Sequence, residues 1–393
     1  MRIWASRLLG GLALAAIAGP ASLTAARAAD TIKVGLVAEF SGPFANAARE
    51  MDNGIKLYMK QHGDTVAGKK IEIIRRDIGG PAPDVAKRLA QELVVRDNVD
   101  FLAGFVVTPN ALAVADVATQ AKKPTVIMNA ATSIITTKSP YFVRVSFTLP
   151  QVTAPLAVWA AKNGVKQVYT MVTDYGPGID AENAFKKAFE ANGGTVVGSV
   201  RMPLSSPEFS AYAQKVKDLN PQAVFVFVPS NDQPAQLMKT FAERGLTTST
   251  IKIIATGDVT DDAVLEQEGD AALGLITSHH YSYAHDSALN KAFVAAYAKE
   301  YGDFRPDFVA VGGYDGMAAI YAVVKKLKGK IDGDKAMAAF KGLKIESPRG
   351  PIMIDPETRD VIQTVYLRKV ERQNGKLVNA EFDKVENVKD PGK

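Results

Sequence analysis

Small polar residues gather where β-branched, strand-like runs of this sequence end. Ser41-Gly42-Pro43-Phe44, Thr108-Pro109-Asn110 and Ala130-Ala131-Thr132-Ser133 follow runs in the first third of the chain. Asp174-Tyr175-Gly176, Pro229-Ser230-Asn231-Asp232 and Thr256-Gly257-Asp258 follow runs further on. Hydroxyls and the free amides of helix starts suit an anion, and open α/β sheets place their ligands beyond the carboxyl ends of the strands. Any one segment is equally a helix cap. Their joint occurrence in both halves of the chain points to a shared cleft.

Groups able to make or break bonds are harder to find. G-x-S-x-G, G-x-x-x-x-G-K-[ST] and H-E-x-x-H do not occur, and without cysteine there is no thiolate nucleophile, thiolate metal site or disulfide. Gly176-Pro177-Gly178-Ile179-Asp180-Ala181 fits G-x-G-x-x-A. However, Pro177 removes a backbone donor, and the next strand, Thr195 to Val200, ends in Arg201-Met202 with no acid for a ribose hydroxyl. The segment reads instead as a loop that sets Tyr175 beside a cleft. His279 and His280, adjacent at a strand end, are expected to point to opposite faces and share no metal. Asp261-Asp262 suits the start of a helix better than a glycosidic bond. No catalytic set, metal or cofactor is expected.

The elements that must carry the strand-end groups follow βαβ grammar. Strand patterns at Ile32 to Val37, Ile71 to Arg76, Phe101 to Gly104 and Thr125 to Met128 alternate with helical ones at Ala45 to Met59, Pro83 to Val95 and Ala111 to Gln120. A second series after Pro150 runs from Val168 to Val172 through helices near Ala181 to Ala191, Ala211 to Leu219 and Gln233 to Arg244, with strands Thr195 to Val200, Ala223 to Val228 and Ile251 to Ile254. Helices at Ser287 to Tyr301 and Asp307 to Leu327 and strands at Pro351 to Ile354 and Gln363 to Arg368 follow. The fold class is therefore α/β, with two parallel sheets each covered on both faces.

Residues 1–28 read as a secretory signal peptide: Arg2 and Arg7 precede an apolar run from Leu8 to Ala18, and Ala26-Arg27-Ala28 offers small residues for cleavage. No later run reaches the roughly 18 unbroken apolar residues of a membrane span. Without the signal, 44 basic side chains face 42 acidic ones, and no basic cluster marks a nucleic-acid or lipid surface. No nucleic acid and no membrane insertion are expected. About 365 remaining residues exceed one ordinary core, so two domains are the default.

With these segments in view the chain resembles the periplasmic binding proteins of the leucine/isoleucine/valine type, which serve transporters driven by ATP hydrolysis. The resemblance rests on Ile32-Lys33-Val34-Gly35-Leu36-Val37 running into Phe40-Ser41-Gly42-Pro43, and on Ala130-Ala131-Thr132. Asp174-Tyr175-Gly176 and Gly313-Tyr314-Asp315-Gly316-Met317 complete it. It implies two doubly wound lobes joined by three crossovers, the type I periplasmic binding protein fold. Residues 31–148 plus 283–345 would form lobe one, and 149–282 plus 346–385 lobe two. It also implies a ligand enclosed by hinge closure, membrane permease subunits as partners, a periplasmic location, and no enzymatic activity. A monomer is expected.

By the same resemblance, Val107, Thr108 and Ala130, Ala131 and Thr132 would hold a ligand carboxylate, and Tyr175 would supply an aromatic from the second lobe. An acidic position for an ammonium group falls on Gly257 or Asp258. Gly257 there would favour an aromatic carboxylate over an amino acid, since an unpaired buried ammonium is costly. Phe44, Phe105, Phe147, Tyr175, His280 and Tyr281 are candidates for an aromatic wall, and Ser230 for a further polar contact. A ligand sensor of the same fold feeding a receptor or regulator is the alternative; an exported enzyme would need a converging acid/base set.

Overall fold

The computed structural model describes residues 31–205 and 207–393, so the expected signal segment lies outside the described residues. The first lobe is laid down by β1 (Thr31–Ala38), α1 (Ala45–His62), β2 (Thr65–Val66), β3 (Lys69–Asp77), α2 (Pro83–Val95), β4 (Phe101–Gly104), α3 (Thr108–Ala113), α4 (Ala115–Gln120), β5 (Thr125–Ile127) and β6 (Phe142–Arg144). The strands form one sheet in the order β2-β3-β1-β4-β5-β6, parallel except for the short β2 edge. Helices cover both faces, so β4 and β5 carry only buried residues.

The chain then crosses over through α5 (Leu149–Lys162). The second lobe follows with β7 (Gln167–Thr173), α6 (Gly176–Ala191), β8 (Thr195–Met202), α7 (Phe209–Leu219), β9 (Ala223–Phe227), α8 (Gln233–Glu243), β10 (Lys252–Thr256) and β11 (Ile276–His279). A second crossing returns it to the first lobe as α9 (Ala288–Tyr301), α10 (Phe308–Lys326) and α11 (Gly333–Phe340). A third leads to β12 (Lys344–Ile345), β13 (Ile352–Ile354), β14 (Val361–Gln373) and β15 (Lys376–Val388). The second sheet runs β12-β13-β14-β11-β10-β9-β7-β8, with β15 paired to β14. This is the α/β architecture of two sheets and three crossovers that the strand pattern and the resemblance lead one to expect.

Three elements differ from the sequence reading in ways that matter for the site. The helix expected at Ala111 to Gln120 is two short ones that meet at Val114, and the first starts at Thr108 with Pro109 in its opening turn. The helix expected from Ala181 starts at Gly176, again with a proline, Pro177, in the first turn. The crossover helix α5 is held by a capping box in which Thr148 and Gln151 bond each other's backbone. Among the described residues α10 alone has the length and apolarity of a membrane span; 83% of it is buried, packed against α1, which accounts for its composition.

Candidate functional site

All six polar strand-end segments converge on one cavity between the lobes, about 400 Å³ of space free of atoms, counting its mouth. Phe44 follows β1, Thr108 follows β4, and Asn129 and Ala131 follow β5. From the second lobe come Tyr175 at the start of α6, Pro229 and Ser230 after β9, and Asp258 after β10. The first crossover adds Phe147 and Leu149, and the start of α10 adds Phe308 and Val309. Parallel strands all point their carboxyl ends the same way, which is why segments far apart in sequence meet here. Five aromatic side chains line the wall: Phe44, Phe147, Tyr175, Phe227 and Phe308. Tyr175 and Phe227 lie nearly parallel, 6.1 Å apart at 20°.

The first lobe's polar wall is held rigidly from behind. Glu39 is fully buried and accepts hydrogen bonds from the Val106 and Val107 amides at 3.0 and 3.3 Å and from Asn110 Nδ2 at 2.6 Å. Burial raises its pKa to about 7, with these donors opposing the rise. Arg144, also fully buried, donates to the carbonyls of Ala130 and Thr132 at 2.9 Å and to Asp360 at 2.8 Å, fixing the loop after β5. On that loop Thr132 Oγ1 stands 2.9 Å from Thr108 Oγ1. Two hydroxyls sharing one hydrogen bond leave one hydroxyl proton free for a ligand oxygen.

Asp258 is the carboxylate of the cavity, and no lysine or arginine is among the lining residues. Its Oδ2 accepts from Thr256 Oγ1 at 2.8 Å and lies 3.7 Å from His279 Nε2. Tyr175 has its phenol pushed far above the ordinary value by burial and then by Asp258, so it stays neutral. Ser230 donates to Asp261, whose own pKa is raised by burial. An anionic ligand group would thus meet neutral donors in the first lobe, and a donor group would meet the acceptors of the second.

The structure as a whole resembles solved transport proteins. The family model described as "Periplasmic binding protein" matches residues 31–376. A solute binding protein of an ABC transporter from Rhodopseudomonas palustris BisB5, crystallised with 3,4-dihydroxy benzoic acid, is 56% identical with a TM-score of 0.90, covering 92% of this chain and 99% of that one. Another from R. palustris, crystallised with 4-hydroxybenzoate, is 44% identical with a TM-score of 0.89, over 92% of this chain and 99% of its own. The Leu/Ile/Val-binding protein homolog 6 of Brucella suis biovar 1 (strain 1330) is 45% identical over 383 residues, 97% of this chain and 98% of that protein. The chain belongs to the periplasmic binding protein family. It is a solute-binding component of the ABC-transporter type, a class that is in general not enzymatic.

In this periplasmic binding protein Phe44, Val107, Thr108, Ala131, Tyr175, Ser230 and Asp258 all line the cavity. Ala130 and Thr132 flank Ala131 in the same loop, and Thr132 reaches the cavity wall through Thr108. Four expected residues stand outside the lining: Phe105, Gly257, Tyr281 and His280, the last buried behind Phe147. Phe105 is fully buried at φ 66°, a conformation uncommon for a bulky residue, and its carbonyl takes the Ala130 amide at 3.0 Å. It is scaffold for the loop. Tyr281 is buried with its hydroxyl on Asn290 Oδ1 at 3.0 Å. Gly257 faces away from the cavity: a Cβ there would stand 2.2 Å from Arg368 Nη2 and 2.5 Å from His279 Cβ. Asp258, not Gly257, is the neighbour that reaches the cavity.

His279 and His280 do not point to opposite faces. Their rings lie 4.4 Å apart, both 4.8 Å from Phe147, because β11 ends at His279 and the alternation of a strand stops with it. Neither ring makes a hydrogen bond, and burial draws the His279 pKa down to about 4. Sequence reasoning missed Phe227 and Asn129, and also Phe308 and Val309, which reach the cavity only at the start of α10, after the second crossover. The available signal for that last pair was Asp307, which caps α10 by accepting from Ala310 N at 2.7 Å.

Proposed function

We propose that this protein captures an aromatic carboxylate carrying a hydroxyl group, of the hydroxybenzoate kind, and delivers it to the membrane permease of an ABC transporter. The observation that carries this reading is the ring of five aromatic side chains around a cavity whose charged group is a single carboxylate. A benzoate ring would lie against Tyr175 and Phe227, with its carboxylate toward Thr108 and Thr132. Two similar proteins were crystallised with hydroxylated benzoic acids, which supports the assignment. Hinge closure of lobes 31–148 plus 283–345 and 149–282 plus 346–385 would enclose the ligand, as groups of both lobes line the cavity. Export through a cleaved signal peptide, a periplasmic and monomeric state, and the absence of turnover complete the reading.

A branched-chain amino acid is the second reading, favoured by Asp258 at the cavity and by the name of the Brucella relative. Calorimetric titration of refolded, ligand-free protein with 4-hydroxybenzoate, 3,4-dihydroxybenzoate, benzoate and leucine separates the two. Binding of the hydroxybenzoates with leucine silent is expected. Leucine binding alone would replace the aromatic reading with the amino-acid one.

A further inference from the structure

Asn129 is the cavity residue whose side chain is left half satisfied. Its Nδ2 donates to the Val106 carbonyl at 2.9 Å, while its Oδ1 is buried without any hydrogen-bond partner. The amide cannot turn over, because the flipped form would set its oxygen against the Val106 carbonyl, two acceptors face to face. The backbone at Val106 is itself pinned, since its amide donates to the buried Glu39 at 3.0 Å. Met128 N donates to Gly104 O at 3.0 Å and Ala130 N to Phe105 O at 3.0 Å, which fixes the backbone on either side of Asn129. The result is a rigid, buried acceptor with no donor from the protein, carried by a residue that lines the cavity.

A buried acceptor without a partner costs free energy that a ligand donor recovers. A carboxylate cannot provide that donor and an unsubstituted benzene ring has none. We propose that Asn129 is the residue that selects a ring hydroxyl, so that the preferred ligand is a phenolic acid rather than benzoate itself. This rests on the aromatic reading above and deepens it. Asp258 is an acceptor too, but its Oδ2 already holds Thr256, and its charge suits a cation as well as a phenol. Asn129 is neutral and distinguishes hydroxyl from hydrogen.

The test is calorimetric titration of wild type and Asn129→Leu with benzoate, 3-hydroxybenzoate, 4-hydroxybenzoate and 3,4-dihydroxybenzoate. In wild type, one ring hydroxyl is expected to tighten binding at least tenfold over the same acid without it. In Asn129→Leu that gain should shrink to less than about threefold, a loss selective for the hydroxylated acids that no merely structural role would produce. Equal losses for all four acids, or an unchanged hydroxyl gain, would overturn the proposal. Should Asn129→Leu not fold, Asn129→Ala, which removes bulk instead of replacing it, gives the same comparison. Failure of every aromatic acid to bind wild type would instead remove the aromatic reading on which the proposal stands.

Discussion

Thr132 of the first lobe and Gly176 of the second meet so closely that a Cβ on Gly176 would stand 2.7 Å from Thr132 Oγ1 and 3.3 Å from its Cγ2. The glycine lets the start of α6 close down on the threonine pair beside the cavity. Turning the Cβ hydrogen of Thr132 toward Gly176 would carry its Oγ1 away from Thr108 Oγ1, so relief by rotation costs the hydrogen bond between the two threonines. Gly176→Ala is therefore expected to oppose closure and weaken ligand binding at least tenfold, about 1.4 kcal/mol. The ligand-free protein, free to open, should keep its unfolding free energy within about 0.5 kcal/mol. Titration beside urea unfolding checks both; a matched loss of stability would mean the lobes stay closed without ligand.

The hydroxyls of Thr108 and Thr132, 2.9 Å apart, act as a unit. Thr132→Val leaves the Thr108 hydroxyl free to donate to the ligand but removes its neighbour, so a loss of about 1–3 kcal/mol in carboxylate binding is expected. Thr108→Val should cost a similar amount, and the double variant less than the two losses together, because each single change already breaks the shared bond. Additive losses in the double-variant cycle would assign each hydroxyl its own ligand contact.

Asp258→Asn keeps shape and an acceptor oxygen but removes the charge. A phenolic ligand should lose about 1 kcal/mol or less, and an ammonium ligand about 2–5 kcal/mol, the cost of a buried charge left unpaired. Titrating the variant with 4-hydroxybenzoate and leucine makes the comparison. A large loss for the hydroxybenzoate would show that the phenol is held as a phenolate-like charge donor rather than by a neutral hydrogen bond.

Much of this could be read from the sequence because local rules and tertiary outcome agree. Pro83 to Val95 and Phe101 to Gly104 have the bounds their patterns predict, and each polar loop at a strand's carboxyl end reaches the cavity. What escaped reading is what depends on partners distant in sequence. The three-residue β6 is too short for any period, and α5 is buried on nearly every side, so it lacks an amphipathic pattern. The hairpin of β14 and β15 was half read, although Asn374 and Gly375, both at positive φ, mark its turn. Phe105 looked like a wall residue because type and position fitted; only its backbone conformation and burial make it scaffold. Gly257 and Asp258 differ by one place, and the choice between them is made by Arg368, more than a hundred residues away.

The paired histidines give the protein an acid-sensitive core beside the cavity. His279 is fully buried, with both ring nitrogens lacking hydrogen bonds, and burial holds its pKa near 4, with Asp258 opposing and Arg368 and Arg349 reinforcing the fall. An unfolded histidine takes up its proton near 6.5. Between about pH 6.5 and 4 the unfolded chain therefore binds more protons than the folded one, and stability falls as pH falls. The contribution is fully present above about 6.5 and amounts to about 2 kcal/mol of lost stability at pH 5. His280 is displaced in the same direction, by burial first and then by its neighbour. Urea unfolding of ligand-free wild type and His279→Leu at pH 8 and pH 5 isolates the first of the pair. The variant is expected to lose about 2 kcal/mol less than wild type on acidification. Equal losses would mean that folded His279 takes up its proton as readily as the unfolded residue does, with Asp258 as its counter-charge.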